Sequence, residues 1–152
     1  MLKSPGLYVH FPWCLKKCPY CDFNSHPVKG EIPQKRYSQS LQYDLTEQIQ
    51  NHQNEKFSTI FFGGGTPSLM SPKSVEKILD IASPTSQAEI TLELNPGTLE
   101  FNSLTDFASA GVNRISIGAQ SFNNTHLKTL GRIHGQLEII FAFEAARKAG
   151  FE

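Results

Sequence analysis

Three cysteines carry the clearest chemical signal in the sequence. Cys14, Cys18 and Cys21 stand four and then three residues apart, and they are the three cysteines of the 152-residue chain. This spacing would fit one face of a helix. However, Pro19 lacks an amide hydrogen and biases Cys18 away from helical backbone angles. We therefore predict an irregular loop that places three thiolates around one bound group.

Three thiolates leave one ligand position open. A closed structural zinc site takes four protein ligands, and a fully ligated [4Fe-4S] cluster takes four cysteines. An open position on zinc would activate a water, whereas on a cluster it would let a substrate chelate the fourth iron. From the spacing alone, a zinc site completed by His10 or His26 and a group of buried thiols stay open as alternatives.

The elements around the cysteines alternate between predicted strands and helices. A strand at 7–11 ends at Pro12 and leads directly into the cysteine loop. Further strands are predicted at 57–62, 88–94 and 112–119, with the first step of a fifth at 151–152. Helices are predicted at 34–54, 72–82, 102–110, 124–130 and 136–149. This alternation indicates a parallel sheet with right-handed crossovers, and βα folds carry their chemistry at the carboxyl ends of such strands.

Apolar spacing and capping residues define the predicted helix faces. Ser71 and Pro72 suit the N-cap and first position of one helix, Asn102 can cap another, and Gly111 suits the position just past its end. The buried residues predicted for the first three of these faces are Tyr37, Leu41, Leu45, Ile49; Val75, Ile78, Leu79, Ala82; Leu104, Phe107 and Ala108. For the last helix we predict that Leu137, Ile140, Phe141 and Ala145 face inward.

Composition excludes several classes of partner and compartment. The formal net charge is zero, with 14 basic and 14 acidic residues, so there is no electrostatic case for nucleic acid or an anionic membrane surface. No apolar run approaches the roughly 18 residues that a membrane helix needs, and the start of the chain lacks the apolar core of a signal peptide. An odd number of cysteines suits a reducing compartment, so we predict a cytoplasmic protein.

A glycine-rich segment follows the second predicted strand. Gly63-Gly64-Gly65-Thr66-Pro67 is neither a Walker A loop nor a Rossmann fingerprint, because the residues that complete those motifs are missing. Three glycines at a strand end allow the backbone to approach a ligand without an intervening Cβ. A plain turn is the alternative for the run taken by itself.

The cysteine spacing, followed by an aromatic residue, resembles the radical S-adenosylmethionine superfamily. The flanking segments 8–14 and 18–25 are similar to the branch that holds oxygen-independent coproporphyrinogen III oxidase and the HemW-type haem chaperones. The resemblance implies an α/β fold, a partial (β/α) barrel of radical SAM type. It has about four βα units here and is truncated before closure. Residues 1–152 would then be the N-terminal part of a radical SAM core domain, with the C-terminal remainder absent. A compact four-stranded open sheet is the alternative.

The same resemblance implies a cofactor site. Cys14, Cys18 and Cys21 would bind three irons of a [4Fe-4S] cluster, and S-adenosylmethionine would chelate the fourth iron and be cleaved by one-electron reduction. Further cofactor-binding residues are implied at Tyr8, Tyr20, Gly64, Gly65, Thr66, Glu93, Gln120 and Arg132. Without the resemblance, Glu93 would be a solvent-facing strand residue, and Gln120 and Arg132 ordinary polar loop residues. No further catalytic residue is assigned, and His10 and His134 are interpreted as structural.

One position separates the members of this branch. The oxidase has a further cysteine two residues after the third cluster cysteine, where this chain has Phe23. This departure favours the HemW-type chaperone, which is proposed to bind haem and transfer it to haem-requiring client proteins. The alternative is the oxidase, which acts on a porphyrinogen by oxidative decarboxylation in porphyrin biosynthesis. A second alternative is an inactive truncated fragment or a non-catalytic metal-binding module.

The implied radical chemistry also needs an electron donor. The resemblance implies a flavodoxin- or ferredoxin-type protein in that role. Lys16 and Lys17 follow the first cysteine, and we expect them to be solvated or to face that donor.

Overall fold

Four parallel strands form the central sheet of the computed structural model, which describes residues 5–51, 56–98 and 101–151. All strands of the described residues are, in chain order, β1 (Gly6–Phe11), β2 (Trp13–Cys14), β3 (His26–Pro27), β4 (Thr59–Gly64), β5 (Glu89–Leu94) and β6 (Arg114–Ile117). The central sheet has the order β1-β4-β5-β6, and β2 and β3 form a separate two-stranded pair. The predicted alternation and parallel pairing are therefore confirmed.

Five α-helices follow the predicted order. They are α1 (Gln34–Asn51), α2 (Pro72–Ala82), α3 (Phe101–Ser109), α4 (Asn124–Thr129) and α5 (Gln136–Lys148). Short 3-10 turns at Pro67–Leu69 and Pro96–Thr98 follow β4 and β5. The predicted end of the first helix at 54, the cap side chain of Asn102 and Glu152 lie outside the described residues and side chains.

The strand order identifies how the sheet is wound. Each strand of the central sheet is added beside its predecessor in chain order. A doubly wound sheet would reverse direction at a switch point, and the described part of the sheet has no such reversal. Winding in one direction is the topology of a (β/α) barrel, as the resemblance implies.

Alternation along the strands separates two faces of the sheet. One face carries buried apolar side chains that pack against the helices, namely Val9, Phe11, Ile60, Phe62, Ile90 and Leu92. On this side α2 buries Val75, Ile78, Leu79 and Ala82, as predicted. Ser71 caps this helix by accepting a hydrogen bond from the Ser74 amide at 3.2 Å. The other face carries polar and aromatic side chains, including Tyr8, Phe61 and Glu93.

The predicted buried face of α5 is wrong in part, because Ile140 and Ala145 are half-buried but Leu137 and Phe141 are not. Leu137 and Phe141 are 63% and 50% exposed, whereas Ile139, Ala142 and Ala146 are buried. The helix has apolar residues on both sides, so periodicity could not choose between them. Two alanines on one side let the helix approach its neighbours more closely than leucine and phenylalanine would, and packing favours that side.

Several strand boundaries also differ from the predictions. β4 continues through Gly63 and Gly64 because these residues pair with His10 and Phe11 of β1. The short β2–β3 pairing inside the cysteine segment carries no periodicity that could predict it. Phe151 is buried, although it lies in no strand. None of the described helices combines the length and apolar character needed to cross a membrane.

Candidate functional site: a cysteine-lined cleft

A cleft of about 350 Å³ opens between the cysteine loop and the carboxyl ends of β4, β5 and β6. Most of the predicted site residues line it, namely Cys14, Cys18, Tyr20, Cys21, Gly64, Gly65, Thr66, Glu93, Gln120 and Arg132. Tyr8 does not line the cleft. Its side chain is 57% exposed, and its hydroxyl lies 3.1 Å from His10 Nδ1. The structure therefore gathers residues from five separate segments around one space.

The cysteine segment is irregular, as the proline argument predicts, and backbone contacts hold it in place. The Val28 amide donates to the Cys14 carbonyl at 2.8 Å, and the Cys21 amide donates to the Cys18 carbonyl at 3.0 Å. Lys17 Nζ donates to the carbonyl oxygens of Phe23 and Ser25 at 3.0 and 3.1 Å. The expectation that Lys17 is simply solvated is therefore wrong, because its ammonium group binds two carbonyl oxygens of the loop.

The three thiols are free and lie close enough to influence one another. Cys14 is buried, while Cys18 and Cys21 are partly exposed. Burial raises the pKa of the Cys14 thiol, the two neighbouring cysteines raise it further, and Lys17 opposes both effects. Gathering three thiolates is thus unfavourable for the chain by itself, and a cationic metal centre would offset that cost.

The thiol arrangement distinguishes two kinds of metal centre. Within residues 5–51, 56–98 and 101–151, no three His, Cys, Asp or Glu side chains converge closely enough to hold one metal ion. His10 Nε2 instead lies 2.8 Å from the Asn24 carbonyl oxygen. A cubane cluster needs no such convergence, because each cysteine binds a different iron. The donor set therefore fits an iron–sulfur cluster better than a mononuclear zinc ion.

Arg132 connects the far side of the cleft to the cysteine loop. Its Nη1 donates to Cys18 Sγ at 3.3 Å and to the Tyr20 hydroxyl at 3.4 Å, and its Nη2 donates to the Gly118 carbonyl at 2.9 Å. Its Nε is buried and has no hydrogen-bond partner. A buried donor without a partner is costly, so this guanidinium has unused capacity for an anionic group in the cleft.

Glu93 supplies a carboxylate to the same cleft. Its Oε2 accepts a hydrogen bond from the Gly64 amide at 3.2 Å. Burial raises the pKa of the Glu93 carboxyl, and the Gly64 amide partly opposes this shift. Glu93 is thus not the solvent-facing strand residue of the alternative interpretation. It is a partly desolvated acceptor at the end of β5.

The glycine run joins β4 to the cysteine segment. A Cβ on Gly65 would lie 2.5 Å from the Trp13 carbonyl oxygen, and one on Gly64 would lie 2.7 Å from the His10 ring. The Thr66 amide donates to the same Trp13 carbonyl at 2.8 Å. Glycine is therefore needed at position 65 because the Trp13 backbone lies where a Cβ would be. We predicted a different reason, namely the close approach of a ligand.

Sequence reasoning missed several residues of the cleft. Ser25, Asn95, Ser116 and Gly118 line it as well, and buried His134 anchors its edge. Asn95 and Gly118 each directly follow a strand, so their strand-end positions could have identified them. Ser25 carries no comparable signal, because it lies in an irregular loop whose path the tertiary fold decides.

Comparison with known proteins gives consistent similarities. The chain is 49% identical to "Heme chaperone HemW" of Escherichia coli over 156 residues, covering 99% of this chain and 41% of that protein. It is 45% identical to the protein of the same name from Haemophilus influenzae over 158 residues, covering 97% and 40%. The chain thus spans about two fifths of the length of these curated relatives.

A solved structure agrees with these sequence similarities. The structure described as "Coproporphyrinogen III oxidase (HemN) from Escherichia coli is a Radical SAM enzyme" superimposes with a TM-score of 0.86 at 26% identity, covering 98% of this chain and 36% of that one. This match confirms the predicted radical SAM type of α/β fold. The sequence pattern of the radical SAM superfamily itself matches residues 8–152. Members of that superfamily generally use a [4Fe-4S] cluster and S-adenosylmethionine. The chain belongs to the radical SAM superfamily.

Proposed function

We propose that this chain forms the cluster-binding and S-adenosylmethionine-binding part of a HemW-type haem chaperone, as the N-terminal part of its radical SAM core domain. The observation that carries this proposal is the cleft, where three free thiols, the Glu93 carboxylate and the Arg132 guanidinium meet at the strand ends. The 49% identity to a haem chaperone supports the choice within the superfamily. Three free cysteines suit a reducing compartment, and we propose the cytoplasm.

Each group in the cleft has a proposed task. Cys14, Cys18 and Cys21 hold three irons, and the cluster, when bound, supplies the electron that cleaves S-adenosylmethionine. Arg132 offers its unpartnered Nε and its charge to the cofactor carboxylate. Glu93 accepts hydrogen bonds from donor groups of the cofactor.

The remaining predicted residues shape the cleft around these groups. Gly64, Gly65 and Thr66 line it at the end of β4, and Tyr20 and Gln120 line it as well. Tyr8 lies on the same face of the sheet, outside the cleft. We propose that its role is carried by the β1 backbone and by its contact with His10.

Phe23 favours the chaperone over the oxidase. It lines the cleft with a side chain that is 57% exposed, at the position where the oxidase pattern has a further cysteine. A phenylalanine supplies no thiol there, and it offers an apolar surface to a flat ligand instead. In this proposal haem is the cargo, haem-requiring proteins are the clients, and a flavodoxin- or ferredoxin-type protein delivers the electron. The oxidase, with a porphyrinogen substrate, is the second candidate, favoured by the structural match to HemN.

Anaerobic reconstitution with iron and sulfide, followed by EPR of the reduced chain, tests the proposal. We expect a cubane-cluster signal that changes shape when S-adenosylmethionine is added. Cys21→Ala should lose the cluster, whereas the matched control Leu15→Ala should keep it, because Leu15 is 50% exposed in the same loop and does not line the cleft. A cluster indifferent to S-adenosylmethionine would instead support a metal-binding module without radical chemistry.

A haem titration of the reconstituted chain then separates the two candidates within the branch. A saturable change in the haem absorption band supports the chaperone. Conversion of a porphyrinogen without stable haem binding would favour the oxidase. Absence of any cluster in the parent chain would support the inactive fragment.

A further inference from the structure

We propose that His134 is a positioning residue that fixes residues 118–120 along the cleft, and through them Gln120. This inference rests on the proposed function, because it assigns Gln120 to cofactor binding. His134 lies just outside the cleft and is 4% exposed. It follows Arg132 by two residues, so one short turn carries both side chains toward the end of β6.

Both ring nitrogens of His134 contact segments that follow cleft-forming strands. Nδ1 lies 3.1 Å from Asn95 Oδ1, directly after β5, and Nε2 lies 3.2 Å from the Ala119 carbonyl oxygen, just after β6. The Ala119 carbonyl oxygen and Asn95 Oδ1 can both only accept, so we assign the proton of the neutral ring to Nε2, and Nδ1 then lies against Asn95 without donating to it. His134 therefore donates to Ala119 and links the two strand ends across the edge of the cleft.

The segment that His134 holds has an unfavourable backbone conformation. Gln120 has a φ of 64°, in the left-handed region that residues other than glycine rarely adopt. Such a conformation persists only where surrounding contacts impose it. The Ala119 carbonyl accepts two hydrogen bonds, one from His134 and one from the Ser121 amide at 2.8 Å.

Arg132 and His134 act on consecutive residues of this segment. Arg132 Nη2 donates to the Gly118 carbonyl at 2.9 Å, and His134 Nε2 donates to the next carbonyl along the chain. Two side chains from one turn thus restrain two successive peptide groups immediately before Gln120. Without the His134 bond, only the Ser121 amide still restrains the Ala119 carbonyl, and we expect the Gln120 side chain to leave the cleft.

Two substitutions separate this bond from ordinary packing. His134→Gln places an amide nitrogen near the position of Nε2 and retains a donor for Ala119. His134→Asn places its nitrogen near Nδ1 and retains the contact to Asn95 alone. Both variants lose the ring, so their losses in melting temperature should be similar, and a purely structural role would affect them equally.

The first measurement is amide hydrogen exchange of Ser121 in the cofactor-free chain. Because Ser121 donates to the same Ala119 carbonyl, we expect its exchange to accelerate about fivefold in His134→Asn, and to stay near the parent rate in His134→Gln. The second is titration of the reconstituted chain with S-adenosylmethionine by EPR. There we expect affinity to fall about tenfold in His134→Asn and about twofold in His134→Gln.

Each outcome decides one question. Equal exchange rates in the two variants would overturn the positioning role, whatever the cofactor does. Different exchange rates with equal affinities would overturn the link to the cofactor. A parent chain that binds a cluster and ignores S-adenosylmethionine would refute the proposed function, while the exchange measurement would still decide whether His134 holds the segment.

Discussion

Gly65→Ala should damage the junction between β4 and the cysteine segment. The added Cβ would lie 2.5 Å from the carbonyl oxygen and 2.7 Å from the carbonyl carbon of Trp13. These are backbone atoms, so no side-chain rotation can relieve the contact. Gly65 also donates its amide hydrogen to the Phe11 carbonyl at 2.6 Å, so the strand end cannot move away without lengthening that bond. Because Trp13 precedes Cys14, the displacement reaches a predicted cluster ligand.

The size of the effect follows from the cost of overpacking. Forcing an extra carbon into a packed site costs about 1–3 kcal/mol. For a domain of this size, each kcal/mol lowers the melting temperature by about 2–4 °C. We therefore expect Gly65→Ala to melt about 2–12 °C below the parent chain in a circular dichroism melt. The Cys14 thiol, which is buried in the parent, should react faster with a thiol reagent.

Gly118→Ala is the matched control. It also lines the cleft, but a Cβ there would lie 3.4 Å from Arg132 Nη2 and 3.5 Å from the Leu94 carbonyl oxygen, which are ordinary contacts. Neither glycine lies in the left-handed region, so both substitutions remove the same freedom from the unfolded chain. The difference between the two melts isolates the close contact with Trp13. Equal melting temperatures and equal Cys14 reactivity would refute the reasoning.

Two further substitutions test the electrostatics of the site. Burial raises the pKa of Glu93, so the folded state retains its proton more strongly than the unfolded state, and ionisation of Glu93 destabilises the fold as pH rises through the folded-state pKa. Glu93→Gln should therefore have a higher melting temperature than the parent at pH 7, and this difference should shrink toward pH 4.5. The same substitution should weaken the EPR response to S-adenosylmethionine. A difference in melting temperature that does not change with pH would contradict this reasoning. Lys17→Met removes two charged hydrogen bonds to the cysteine loop and should cost about 1–3 kcal/mol in denaturant unfolding. The exposed neighbour Lys16 gives the control Lys16→Met, and equal losses in the two variants would argue against the observed role of Lys17.

Short-range features of this protein could be predicted from the sequence because their causes are local. Pro19 excludes a helix at Cys18 through its own ring, and the loop is irregular. Ser71 and Pro72 begin α2 where capping chemistry requires. The alternation of strands and helices indicates a parallel sheet, and parallel strands bring their carboxyl ends to one edge. The motif residues at those ends line one cleft for that reason.

The sequence could not predict which of two apolar faces of a helix is buried. α5 carries apolar residues on both sides, and the sheet and α3 select the side with Ala142 and Ala146. Lys17 resembles any solvated lysine in sequence, and its role emerges because the loop returns the carbonyls of Phe23 and Ser25 to its ammonium group. Such contacts depend on the path of the loop, which no local pattern encodes.

By itself, the sequence determined the donor chemistry of the site, since three thiols in one short loop suit a soft metal centre. It also determined that the loop begins at a strand end. Tertiary structure alone decided that Arg132, 114 positions away, donates to Cys18, and that Gly65 serves the backbone of Trp13. The physical reason is the distance along the chain over which each interaction acts. Propensity and capping act over a few residues, whereas these contacts form only after successive parallel strands have brought distant segments to the same edge of the sheet.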